Sequence, residues 1–164
     1  MEKVTILVDV QNIYYTARQA YGCNFDYNVF WARVTENRQV VKAIAYAIDR
    51  GDAKQKQFQN ILKAIGFEVK LKPYIQRADG SAKGDWDVGI TLDGMEYARQ
   101  SDVLVLASGD GDFDMLANKI RQAHQAKVEV YGVPSLTAKS LVNAASTFIP
   151  IEGALLLRPS VNKR

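Results

Sequence analysis

The sequence predicts a doubly wound α/β fold: a mainly parallel sheet of five to six strands between two layers of helices. Three observations carry that prediction. Short apolar runs rich in β-branched residues alternate with amphipathic stretches of helical length along the chain. Two of the runs, 3–8 and 102–107, are apolar almost throughout, as strands buried on both faces are. Each of these two runs leads into acidic residues, at the strand end where open parallel sheets bind ligands.

The first strand, 3–8, is predicted to be central. Asp9-Val10-Gln11-Asn12 leaves it for a short helix over 14–21. Asp26 is placed to N-cap a second helix that turns Phe30, Trp31 and Val34 inward. A second strand spans 40–48, and Phe58, Ile61, Leu62 and Ile65 then recur at helical spacing until Gly66 stops the helix. The third strand, 67–75, alternates Phe67, Val69 and Leu71 with Glu68, Lys70 and Lys72, the mark of an edge with one face less buried.

A polar loop over 76–85 leads into a helix over 86–100, whose Val88, Leu92 and Met95 are predicted to face the core. The fourth strand, 102–107, passes through Ser108-Gly109-Asp110-Gly111-Asp112-Phe113 into a helix reaching about residue 126. A fifth strand (128–133), a short helix (137–144) and a last strand at Phe148-Ile149 follow. Right-handed crossovers then give the strand order 3-2-1-4-5. Residues 1–157 read as one domain and 158–164 as a disordered tail.

Composition narrows the chemistry. With 164 residues, 48% of them hydrophobic, the chain is long enough for a substantial core. A net charge of +3 permits an anionic partner without requiring one. One cysteine, Cys23, and one histidine, His124, exclude a disulfide framework, a zinc finger and a Cys–His nucleophile pair. A bound metal must therefore be held by oxygen, which points to Mg²⁺ or Mn²⁺. Charge interrupts the N-terminal apolar run too early for a signal peptide, and no run approaches the ~20 residues of a membrane span. The cytoplasm is the expected compartment, with no membrane partner. The half-exposed third strand leaves room for a homodimer.

The acidic turn after the fourth strand has a purely structural role open to it: Asp110 as N-cap, Asp112 in the first helical turn. Its chemical role depends on other carboxylates reaching the same sheet edge. Asp9 ends the first strand, adjacent to the fourth in the predicted order, so the two strand ends converge at the switch point. Asp87 opens a helix and faces that edge too. Clustered carboxylates raise one another's pKa, and a divalent cation relieves the repulsion while keeping positions for water and phosphate. Asp93 is a second-tier candidate, and Asp85 and Asp114 read as solvated. Lys83 and Arg77 are placed to meet a phosphate, or else are solvated; Asn12 either orients Asp9 or a water, or holds the turn. Tyr14, Tyr15 and Trp86 flank the mouth, either to stack on nucleobases or as core.

These residues resemble the NYN domain family, the LabA-like branch of the PIN-like ribonucleases, over residues 3–150. Val8-Asp9-Val10-Gln11-Asn12 is similar to the family's Asp-x-x-Asn, Lys83-Gly84 with Asp87 to its Lys-Gly-x-Asp, and 108–113 to its Ser-Gly-Asp-Ser-Asp-Phe. Near the end, 144–149 is similar to its Ala-Asp-x-Phe-Ile. Three positions depart: Asp85-Trp86 stands where the family has one apolar residue, Gly111 replaces a serine, and Ser146 replaces an aspartate. The resemblance implies a PIN-like (Rossmann-like, three-layer) fold and a Mg²⁺ or Mn²⁺ site of one or two ions. It further implies endonuclease action on single-stranded or structured RNA.

Under that reading Asp9, Asp87, Asp110 and Asp112 are the catalytic set. Asp9, Asp87 and Asp110 bind the metal, Asp112 positions the attacking water, and Asn12, Lys83 and Tyr14 contact substrate. Two other classes stay open. A silent RNA-binding or regulatory module of the same fold fits the modest basicity, although a pure binder has no use for so many aspartates near phosphate. A phosphatase is less well supported, because Gln11 stands where an Asp-x-Asp nucleophile motif needs its second acid. A dinucleotide site is weaker still, with no Gly-x-Gly-x-x-Gly after the first strand.

Overall fold

The computed structural model describes residues 1–73, 75–76, 82–83 and 85–158 and contains the predicted sheet, with six strands. The first half comprises β1 (Glu2–Asp9), α1 (Val10–Tyr21), β2 (Asn24–Phe25), α2 (Tyr27–Thr35), β3 (Arg38–Asp49), α3 (Ala53–Ile65) and β4 (Glu68–Pro73). Two short strands, β5 (Ile75–Gln76) and β6 (Ala82–Lys83), pair antiparallel ahead of α4 (Asp87–Ala98). The second half comprises β7 (Val103–Ala107), α5 (Asp114–Ala123), β8 (Lys127–Gly132), α6 (Lys139–Ala144), β9 (Thr147–Pro150) and β10 (Leu156–Leu157).

The main sheet runs β4-β3-β1-β7-β8-β9, with every neighbouring pair parallel. The predicted order 3-2-1-4-5 is therefore present, and β9, the last strand expected at Phe148-Ile149, pairs beside the fifth. β2 and β10 form a separate antiparallel pair that no periodicity announces, because each is two residues long.

Burial on both faces explains the uninterrupted apolar runs. Val4, Ile6 and Val8 of β1 and Val105 of β7 pack with Ile13, Phe30 and Leu62 from α1, α2 and α3. Leu7, Leu104 and Leu106 point the opposite way, onto Ile90, Leu116 and Leu141 from α4, α5 and α6. Each such side chain is fully or almost fully withdrawn from water and contributes about 1.5–3 kcal/mol. The two central strands, and the residues at their ends, are thereby fixed from both sides.

Several sequence expectations need correction. Helix α1 begins at Val10, directly after Asp9, so Asn12 lies in its first turn and not in a loop. In α3, Leu62 is buried but Ile61 is 49% exposed, and Gln59 takes a buried place instead. The largest correction concerns α4: Val88 and Leu92 point to solvent, 70% and 65% exposed. The inward stripe is Ile90, Gly94 and Ala98, with Met95 half-buried beside it. The reason is close approach. A Cβ on Gly94 would stand 3.1 Å from a Leu116 methyl and 3.5 Å from one of Leu7, so the helix seats its smallest residues against its neighbours.

Residues 159–164, most of the expected tail, lie outside the described residues, as does Arg77; Lys83 is described in its backbone alone. Among the described residues, no helix is long and apolar enough to cross a membrane.

Candidate metal centre and active site

β1 and β7 are adjacent, with Val8 beside Ala107, so Asp9 and Ser108 leave neighbouring strand ends. From there α1 passes into one helical layer and α5 into the other. This is the switch point of a doubly wound sheet.

Asp9 is only 9% exposed. Its Oδ1 accepts from the Asn12 N–H at 3.4 Å, which caps α1, and its Oδ2 accepts from the Ser108 hydroxyl at 3.1 Å. Burial pushes the Asp9 carboxyl up to about 6; repulsion from Asp110 and Asp85 adds to this, and the bonds from Asn12 and Ser108 oppose it.

The acidic turn is tied to both strands. Ser108 Oγ accepts from the Asp110 N–H at 3.2 Å, and Asn12 Oδ1 accepts from the Gly109 N–H at 2.9 Å. Asp110 Oδ1 accepts from the Asp112 N–H at 2.9 Å, so the expected N-cap is present over a 3-10 turn, 111–113. Asn12 thus holds the acidic turn against α1.

Gly109 and Gly111 do not serve the sharp turn by left-handed dihedrals; the positive-φ glycines among the described residues are Gly22, Gly51, Gly66 and Gly153. They permit close approach. A Cβ on Gly109 would meet the Leu136 carbonyl at 2.7 Å, and one on Gly111 the Ala138 methyl at 2.8 Å. The departure from the family's serine at 111 therefore has a steric cause. Gly111→Ser, which restores the family motif, is expected to destabilise by about 1–3 kcal/mol through overpacking. A thermal melt checks this, and an unchanged midpoint would contradict it.

Asp87 opens α4, and the two residues before it hold it in place. Asp85 Oδ1 accepts from the Asp87 N–H at 3.2 Å. Trp86 donates its indole N–H to the Ala47 carbonyl on β3 at 2.9 Å and packs its ring 5.3 Å from that of Tyr46. The Lys72 ammonium sits 4.7 Å over the same indole and donates to the Asp85 carbonyl at 2.9 Å. The extra residue before Asp87 is thus absorbed as an anchor to β3 and β4.

One carboxylate oxygen each from Asp87, Asp110 and Asp112 lie within 4.8 Å of one another. Asp9 stands behind this trio, close enough for its charge to bear on Asp87. Burial pushes Asp87 up to about 7, helped by a hydrogen bond to Asp110 and by the charges of Asp110, Asp85 and Asp9. Asp9, Asp85, Asp87 and Asp110 line one open cavity of about 580 Å³. Asn12 and Tyr15 of α1 line it too, as does Arg50 after β3.

Asp85, read from sequence as solvated, is exposed but belongs to this mouth. Its signal was available: an aspartate two residues before a helix start is placed to accept from that helix's N–H. Ser108 opens the acidic-turn motif without a role read for its side chain, and Arg50 carries no pattern of its own. Asp93 is not part of the site; it accepts from the Tyr46 hydroxyl at 2.7 Å and from the Lys70 ammonium at 2.8 Å. His124 closes the far end of α5, about 15 Å of helix away, so no imidazole serves the cluster.

The profile of the NYN domain matches residues 3–152. The chain belongs to the NYN domain family. This NYN domain is 28% identical over 159 residues to the Low amplitude and bright protein LabA of Synechococcus elongatus, covering 91% of this chain and 83% of LabA. A crystal structure of a protein of unknown function from Vibrio parahaemolyticus is similar to it with a TM-score of 0.91 and 58% identity, over 95% of this chain and 96% of that one. The NYN domain here thus combines a nuclease-type fold with a cluster of aspartates.

Proposed function

We propose that this NYN domain is a metal-dependent endoribonuclease that hydrolyses RNA phosphodiester bonds at the aspartate cluster. The observation that carries the reading is the meeting of Asp87, Asp110 and Asp112 within 4.8 Å at the switch point. Three carboxylates so placed repel one another, and at Asp87 the hydrogen bond and charge of Asp110 add to burial in raising the carboxyl.

The donor set is hard oxygen without sulfur or imidazole, which fits Mg²⁺ or Mn²⁺. Asp9, Asp87 and Asp110 would hold one or two ions. When bound, such a cation polarises the phosphoryl group, lowers the pKa of water and stabilises the leaving oxygen. Asp112, exposed at the rim, orients the attacking water; Ser108 and Asn12 hold Asp9 and the acidic turn in register. Asn12, Lys83 and Tyr14 are assigned to substrate. The single buried thiol, Cys23, suits a reducing compartment, and we place the enzyme in the cytoplasm.

The test is incubation of end-labelled RNA with the protein and Mg²⁺, Mn²⁺ or EDTA. Cleavage is expected with metal alone, and, because water is the nucleophile, without 2′,3′-cyclic phosphate ends. Cleavage that persists in EDTA, or none with either ion, refutes the reading.

A further inference from the structure

We infer that the outer face of α1 is a stacking platform for unpaired nucleobases, built from Tyr14 and Tyr15, so that the strand entering the cleft is single. The inference takes its ligand from the nuclease reading and adds the state of the strand and the residues that select it.

Gln11, Tyr14, Tyr15 and Arg18 stand at i, i+3, i+4 and i+7 and form one stripe about 10 Å long. The helix spends Val10, Ile13 and Ala17 on the core and leaves Tyr14 49% and Tyr15 51% exposed. The two rings stand edge to face, with centroids 5.4 Å apart and planes at 76°. The Arg18 guanidinium lies 6.0 Å from the centre of the Tyr14 ring. Gln11 and Tyr15 line the same cavity as Asp9, Asp87 and Asp110, so the stripe begins at the acid cluster and leads away from it.

Rings this exposed add nothing to the core, yet α1 presents two of them side by side with a cation at the end of the row. That combination suits a single strand: aromatic rings take the faces of successive bases whatever the sequence, and the guanidinium meets phosphate. The acid cluster repels phosphate unless a cation intervenes, so base contacts outside it are where metal-independent affinity can come from. A duplex offers side chains only base edges in its grooves, not the faces that a ring stacks on.

Fluorescence anisotropy with a short labelled strand, checked as intact on a gel, tests this. Wild-type protein is compared on RNA, on DNA of the same sequence, on an abasic strand of the same length and on a duplex. The abasic strand and the duplex are expected to bind at least about tenfold more weakly than the single strands. The Tyr14→Ala/Tyr15→Ala protein should lose a similar factor and no longer distinguish normal from abasic strands, while Tyr14→Phe/Tyr15→Phe keeps both properties. Base-dependent affinity for either sugar supports the platform, and the RNA-to-DNA ratio identifies the source of the strand.

Equal binding of normal and abasic strands, or unchanged affinity in the alanine protein, overturns the inference. Base-dependent binding through the tyrosines without cleavage keeps the platform and sinks the nuclease. Metal-dependent cleavage with base-independent binding does the reverse, and absence of both removes the two together.

Discussion

Asp9→Asn protein is expected to lose cleavage by about a hundredfold or more, and to be more stable than wild type at pH 8 when metal is absent. The two effects share one cause. Asp9 is pushed from 3.8 in the unfolded chain to about 6 in the native protein, chiefly by burial. Between those values the folded state binds the extra proton, so stability falls as pH rises through the window and the penalty is complete above it. A shift of that size corresponds to about 3 kcal/mol. An asparagine carries no charge to bury, keeps an oxygen for the Asn12 N–H, and still faces the Ser108 hydroxyl. The melting midpoint at pH 8 should therefore rise, by roughly 2–4 °C for each kcal/mol recovered. At pH 4 the gain should shrink, because Asp9 is then largely protonated in the native protein. Lost cleavage with a lowered midpoint would make Asp9 a structural cap; unchanged cleavage would remove it from the mechanism.

Metal binding is expected to depend steeply on pH, through Asp87. With its carboxyl raised to about 7, a cation entering the cluster at lower pH must displace the proton that Asp87 holds against Asp110. Affinity should rise about tenfold between pH 6 and pH 7, more steeply below that where Asp9 also holds a proton, and then level off. The sign is opposite to the stability effect: high pH destabilises the metal-free cluster and favours the cation. Stability and function pull apart at these carboxylates, as they do wherever like charges are gathered for a ligand.

Most of what positions the site could be read from the chain. The β1 and β7 runs are apolar because both faces of each strand are buried, and a pattern without alternation signals that directly. Once those strands are neighbours, topology brings Asp9 and the 108–113 turn together without knowledge of any side-chain contact. Asp87 is legible from its helix start and from the Lys-Gly-x-Asp resemblance, and the structure adds the Trp86 anchor that explains the longer approach.

What escaped the sequence has a common physical character. In α4 the reading favoured the large residues Val88 and Leu92, whereas close packing against Leu7 and Leu116 selects Gly94 and Ala98. Hydrophobicity reports which residues gain from burial, not which are small enough to let two elements meet. The glycines of the acidic turn leave space for the 136–138 segment, which is contributed from elsewhere in the chain. Arg50 reaches the site through the fold alone, and the bond from the Ser108 hydroxyl to Asp9 joins residues 99 positions apart, although Ser108 itself belongs to the acidic-turn motif. Among the described residues, Asp112 stands with Asp87 and Asp110 within 4.8 Å, and Asp9, a member of the sequence-derived ligand set, lies behind them.

The measurement that bears most directly on the central claim is Mn²⁺ binding, followed by electron paramagnetic resonance at pH 6 and pH 8, for wild-type and Asp110→Asn proteins of matched fold. The account predicts that wild type binds Mn²⁺ at pH 8 and about tenfold more weakly at pH 6, and that Asp110→Asn binds at neither pH while keeping its circular dichroism spectrum. Wild type that takes up no Mn²⁺ at pH 8, or Asp110→Asn protein that binds it as well as wild type does, would contradict it.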